Sequence, residues 1–134
     1  MTENANEYQA LVERARALRE HAYAPYSGFS VGAALLTDAG RIFDGTNVEN
    51  ASYGLAICAE RTAAVSAIAG GHRTFRAIAI AGPPSATVVP CGACRQFLSE
   101  FNPTLIVLYS TPDGVATTTL DRLLPSAFGP DDLP

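Results

Sequence analysis

The chain has three cysteines, and all of them fall in two short segments, Cys58-Ala59-Glu60-Arg61 and Pro90-Cys91-Gly92-Ala93-Cys94. An odd count argues against a disulfide framework and fits a reducing compartment, the cytoplasm. If the three thiols serve one metal, the fold has to bring two distant segments to one point. Zinc takes four partners: a structural site fills all four with protein, and a catalytic site keeps one for water. Cys91 and Cys94 stand at i and i+3, neighbours on one helix face. Pro90 suits a helix start, and a first turn at the positive end of the macrodipole favours thiolates. Cys58 is expected to open a second helix in the same way, so that two helix N-termini point at one ion. Three thiolates and Zn²⁺ sum to one negative charge. Arg61 either offsets it by donating to sulfur or is a solvated helix residue, and spacing does not choose between the two.

Other readings stay open on spacing alone. A lone CxxC also occurs as a redox pair, but the third cysteine would then be idle. A structural site of three cysteines and one histidine needs His21 or His72, the two histidines of the chain. Glu60 by itself reads as a surface helix residue, because i and i+2 lie on different faces of a helix.

Composition narrows the function classes. At 134 residues, 48% hydrophobic and 16% charged, the chain can build a core as one ordinary domain, 1–134, and is not of a disordered type. The net charge is −4, and the nine basic residues are all Arg and do not cluster. A nucleic-acid partner calls for a basic face, so a small or neutral substrate is favoured. No apolar run approaches the roughly 20 residues of a membrane span, and the polar start does not read as a signal peptide.

Along the chain, residues 1–4 are expected to fray. Tyr8, Leu11, Val12, Ala15 and Leu18 recur at helical spacing, and Pro25 closes that helix beyond His21. Phe29 to Thr37 and Arg41 to Thr46 read as a hairpin about the turn Asp38-Ala39-Gly40. Asn47 and Glu49 project to one face of an extended segment; on spacing they are simply a polar strand end. Ile57 to Ala69 reads as a helix stopped by Gly70-Gly71. A buried strand over Phe75 to Ala81 follows, then a helix over Gly92 to Phe101 and a strand over Leu105 to Tyr109. After the turn at Pro112-Asp113-Gly114 come a short polar edge strand, Val115 to Leu120, and a helical turn over Leu120 to Leu124. The order predicts an α/β fold with one mixed sheet and helices on its faces.

Several longer motifs carry a resemblance: Tyr26-Ser27-Gly28-Phe29, Val31-Gly32-Ala33-Ala34-Leu35, Asn47-Val48-Glu49-Asn50-Ala51-Ser52-Tyr53, and the two cysteine segments, the second extended by Arg95-Gln96. With them the chain resembles the small, homotetrameric, zinc-dependent cytidine deaminases from Leu11 to its tail. It departs from them at Ala56, where relatives often carry a hydroxyl, and at Val89, where Ser is common; the segment after Cys94 varies in length among relatives. The resemblance implies the three-layer deaminase fold about a five-stranded mixed sheet. It implies that Cys58, Cys91 and Cys94 hold zinc, which lowers the pKa of a bound water toward about 7 for attack on C4 of the pyrimidine. Glu60 then serves as the proton shuttle. Asn47 and Glu49 would hydrogen-bond the ribose 3′-hydroxyl, Phe29 would pack on the base, and the Ala59 N–H would bind the base carbonyl. Tyr53 and Phe128 would reach into a neighbouring subunit's site. The implied reaction turns cytidine and deoxycytidine into uridine and deoxyuridine with release of ammonia. A deaminase of another cytosine compound, such as blasticidin S, is the nearest competitor, and a non-catalytic zinc module is the alternative from another class. Polynucleotide editing fits poorly with the acidic balance and with Cys58 where editors usually place His.

Overall fold

The structure, a computed structural model, describes residues 2–134, with side chains from Ala5 onward. Helix α1 (Thr2–Leu18) leads into the antiparallel pair β1 (Gly32–Thr37) and β2 (Ile42–Thr46). Helix α2 (Ala59–Ala69), β3 (Phe75–Ala81), α3 (Gly92–Ser99), β4 (Ile106–Thr111), β5 (Gly114–Thr119) and the short α4 (Leu120–Leu123) complete it. The five strands form one sheet in the order β2-β1-β3-β4-β5. Only the β3–β4 pair is parallel, and α3 supplies its crossover. The mixed sheet covered on both faces is the architecture predicted.

Alternation along the strands sorts the core into two layers. Ala33 and Leu35 of β1 and Ile78 and Ile80 of β3 face α2 and α3, together with Phe75, Leu98, Leu105 and Val107. Ala34, Leu36, Ala77, Ala79 and Ala81 face Leu11, Val12 and Ala15 of α1. The buried residues of β3 on the α1 side are thus all alanine, so the helix lies close to the sheet. At Gly32 a Cβ would stand 2.1 Å from the Ala15 carbonyl oxygen of α1, so this glycine marks direct backbone contact. On the other face α2 rides as closely: a Cβ on Gly45 would meet the Ala59 carbonyl oxygen at 2.3 Å. The buried face of α2 is Ala59, Glu60, Ala63, Ala64 and Ala67. Its small side chains let the helix start press against the end of β2, and the Thr62 hydroxyl donates to the Thr46 carbonyl across the gap at 2.8 Å.

The register brings the site-bearing segments level. Gly32 pairs with Thr46 on one side and with Ala81 on the other. The start of β1, the end of β2 and the end of β3 therefore share one edge, and the N-termini of α2 and α3 open beside it. Among the described residues, no helix is long and apolar enough to cross a membrane.

Several boundaries differ from those expected. The backbone is helical from Thr2, where fraying was expected; Met1 lies outside the described residues. The first helix gives way at Arg19–His21 to a tighter 3₁₀ turn. Strand β1 starts at Gly32 rather than Phe29, because side chains take up both backbone groups of Phe29 and the Val31 N–H, while the Val31 carbonyl accepts from the Asn47 N–H. Ile57 is not helical: it bridges Val48, and Cys58 is the N-cap of α2. Helix α3 ends at Ser99, short of Phe101, and β4 starts one residue later than expected, at Ile106.

Candidate active site

Two helix starts place the thiols. Cys58 precedes α2 in extended conformation, with its carbonyl accepting from the Arg61 and Thr62 N–H groups. Cys91 caps α3 in the same way, and Cys94 lies in its first turn. Arg95 fixes the approach to α3 by donating from Nε to the Pro90 carbonyl at 2.7 Å and from Nη1 to the Leu123 carbonyl at 2.8 Å. The three Sγ atoms lie within 4.8 Å of one another, and those of Cys58 and Cys91 are 3.8 Å apart. Cys91 is exposed, Cys58 half-buried and Cys94 buried, so the cluster has one open side.

Electrostatics tie the thiols to Arg61. Its Nη2 donates to the Cys58 sulfur at 3.6 Å. Its buried Nε has no hydrogen-bond partner among the described residues. Hydrogen bonds from Cys94, then from Arg61 and Cys91, lower the Cys58 thiol to about 5 against the cost of its burial. Cys94 moves the other way, raised by its bond to Cys58 and by burial. A soft set of three convergent sulfurs beside an underused guanidinium fits a tetrahedral, thiophilic cation such as zinc, with the fourth position left for water. No histidine joins the cluster among the described residues. His72 packs instead against Phe43 with the rings tilted, and His21 lies in a separate groove with Ala10, Arg14 and Asp44. Neither histidine is placed to complete a site of three cysteines and one histidine within the chain.

The open side of the cluster faces a cavity of about 250 Å³ whose walls include Phe29, Asn47, Glu49, Cys58, Ala59, Glu60 and Cys91. Glu60 is only 5% exposed. Burial pushes its carboxyl up to about 7, with the charge of Cys58 adding to the rise. The first-turn position, rather than helix-face spacing, carries Glu60 to the metal end. Ala59 lines the wall but is itself fully covered. At the far end Asn47 and Glu49 are already engaged. The Asn47 amide donates to the Phe29 carbonyl at 2.7 Å and accepts from the Val31 N–H at 2.9 Å. Glu49 accepts from the Tyr26 and Ser27 N–H groups.

Not every expected residue reaches this cavity. Tyr53, 76% exposed, stands over an adjoining hollow with Tyr26, Asn50 and Ala56. Phe128, 57% exposed, lines a separate groove with Leu120, Leu124 and Pro130. The structure adds wall residues to which sequence reasoning gave no role: Ser27, Val31, Val88 and Val89. Ser27 and Val31 lie inside the motifs quoted above, and Val88 and Val89 immediately precede Pro90, so position beside a motif was the available signal.

Three convergent thiols and a buried carboxyl beside the end of β3 match the class of zinc hydrolases that deaminate nucleobases. Comparison with known proteins agrees. The family model described as the cytidine and deoxycytidylate deaminase zinc-binding region matches residues 5–110. A probable cytidine deaminase of Dictyostelium discoideum is 42% identical over 131 residues, covering 97% of this chain and 89% of the relative. The cytidine deaminase of Halalkalibacterium halodurans is 46% identical over 127 residues, covering 93% and 96%. The crystal structure of cytidine deaminase from Burkholderia pseudomallei superposes with a TM-score of 0.85 at 54% identity, covering 90% of this chain and 98% of that one. The chain belongs to the cytidine and deoxycytidylate deaminase family, a family of zinc-dependent hydrolases.

Proposed function

We propose that this chain, as one domain spanning 1–134, converts cytidine and deoxycytidine to uridine and deoxyuridine and so serves pyrimidine salvage. The observation that carries the reading is the meeting of three thiols and one buried carboxyl, Glu60, in a single cavity of nucleoside scale. Cys58, Cys91 and Cys94 hold zinc, and Arg61 spreads the thiolate charge. When bound, zinc supplies Lewis-acid activation of a water molecule at neutral pH. Glu60 takes the proton that this water gives up and passes one to N3 of the pyrimidine. It then delivers the water's second proton to the C4 amino group, which leaves as ammonia while the product keeps the N3 proton. One water is consumed and one ammonia released. A carboxyl kept from solvent can act first as base and then as acid.

Phe29 packs on the base. The Ala59 N–H, which the first turn leaves without an intrahelical acceptor, donates to the base carbonyl. Asn47 and Glu49 receive the sugar through the hydrogen-bonding capacity that the backbone leaves them. Exposure of Tyr53 and Phe128 outside the chain's own cavity supports a homotetramer in which both complete a neighbour's site. The acidic balance favours a free nucleoside over a polynucleotide, and three free thiols support a cytoplasmic setting. The test is incubation of zinc-loaded protein with cytidine while absorbance at the cytosine band and free ammonia are followed. Absorbance loss matched by ammonia is expected, and neither changing would overturn the reading.

A further inference from the structure

The chain that enters β1 is held largely by side chains, and one hydroxyl joins two residues of the cavity wall. Glu49 accepts from the Tyr26 N–H at 3.0 Å and from the Ser27 N–H at 3.1 Å through one oxygen, and from the Ser27 hydroxyl through the other. The same Ser27 Oγ accepts from the Phe29 N–H at 3.0 Å. Gly28, at φ 69°, makes the turn between them in a conformation that favours glycine. From the other side the Asn47 amide binds the Phe29 carbonyl and the Val31 N–H. Both backbone polar groups of Phe29 are thus fixed by side chains. A carboxylate offers about four acceptor positions, and here three are filled, which leaves one direction for a ligand. The Ser27 hydroxyl bond is also the main reason that the Glu49 carboxyl lies below its ordinary range, so the group stays charged.

We propose that Ser27 is a positioning residue for nucleoside binding: its hydroxyl joins the Glu49 carboxylate to the backbone of Phe29, so that the sugar anchor and the base-packing ring form one preset wall. Ser27 touches no reacting atom in this reading. The inference rests on the deaminase reading for what binds, and on the hydrogen-bond geometry for what Ser27 does. Preset groups lower the ordering cost of binding, so the effect falls on binding and not on the chemical step near Glu60. Ser27→Ala frees one Glu49 oxygen and the Phe29 N–H together.

The experiment compares zinc-loaded wild type, Ser27→Ala and Ser27→Thr by steady-state kinetics on cytidine and by amide hydrogen exchange. Ser27→Ala is expected to raise KM about tenfold, the low end for a hydrogen bond to a charged group at a partly exposed site, with kcat within about twofold. Ser27→Thr keeps the hydroxyl and is expected to recover most of the KM. The Phe29 amide should exchange about tenfold faster in Ser27→Ala than in wild type, at unchanged zinc content. An unchanged KM, or a loss confined to kcat, overturns the positioning role, as does unchanged exchange at Phe29. Wild-type protein that leaves cytidine intact overturns the deaminase reading instead, and the exchange measurement still decides whether Ser27 fixes Phe29. If Ser27→Ala does not fold, Ser27→Thr decides, since loss of folding there too would mark Ser27 as a packing residue and overturn the proposal.

Discussion

Glu60→Gln separates proton transfer from metal binding. The substitution keeps side-chain volume and removes the acid–base function. General acid–base catalysis contributes about 10²–10⁴-fold, and at 1.36 kcal/mol per tenfold that is roughly 2.7–5.4 kcal/mol of barrier. One feature of the structure and one of the proposed mechanism push the expected loss to the upper end. Glu60 is only 5% exposed, so bulk water cannot easily replace it as proton carrier. In the proposed mechanism it also serves several transfers in sequence, so no single rescued step restores turnover. The loss in kcat is therefore expected to be about 10⁴-fold. Thermal stability should hold or rise, because a neutral amide is cheaper to bury than a carboxylate. Zinc per chain should stay at the wild-type value, since the three sulfurs are placed to hold the ion without Glu60. The assay is kcat from absorbance loss on cytidine, with metal analysis and a melting curve on the same preparation. A loss below tenfold would refute the shuttle, and loss of zinc in Glu60→Gln would make Glu60 a ligand.

Three further outcomes test other parts of the structure. Cys91→Ala should lose zinc and melt at a lower temperature, because metal-binding energy is also folding energy; full zinc occupancy in the variant would exclude Cys91 as a ligand. Gly32→Ala should cost about 1–3 kcal/mol or more by overpacking α1 against β1, since the new Cβ meets the Ala15 carbonyl oxygen at 2.1 Å; a melting temperature equal to wild type would show that α1 gives way freely. Coexpressed Glu60→Ala and Phe128→Ala chains should form mixed assemblies with activity above the sum of the two parents, because one chain keeps Glu60 and its neighbour lends Phe128. Activity equal to that sum in mixed oligomers confirmed by mass, or a monomer at assay concentration, would end the shared-site reading.

What the sequence revealed depended on whether the controlling interaction was local. The CxxC helix start, the Gly70-Gly71 stop and the β3 strand were legible because neighbouring residues decide them. Phe29 was misread as strand because an apolar residue at a cavity wall looks the same as one in a sheet. It is 40% exposed, and its backbone is held by Ser27 and Asn47. Ile57 failed for a related reason, since its partner Val48 lies across a loop. The part Arg61 plays at sulfur requires a distance that no spacing encodes. Glu60 was the reverse case: helix-face spacing argued against it, but its place in the first turn of α2 carries it into the cavity. Asn47 and Glu49 read as a polar strand end, and nothing local announces that their acceptors already serve the backbone of residues 26–31.

The thiol cluster also has a topological consequence. Cys58 and Cys91 are separated by 33 residues, and the intervening chain contains all of α2 and β3. An ion held by both closes that stretch into a ring, as a covalent staple would. In the chain-entropy picture, a ring of this size removes unfolded-state freedom worth about 4 kcal/mol at room temperature. Cys94 adds little to it, because it closes only one further helical turn. The three sulfurs are therefore unequal: Cys58 against the Cys91–Cys94 pair sets the size of the ring. Chelation should open the ring and loosen the docking of α2 on α3, while the β1–β2 hairpin, which lies wholly outside the ring, keeps its own connectivity.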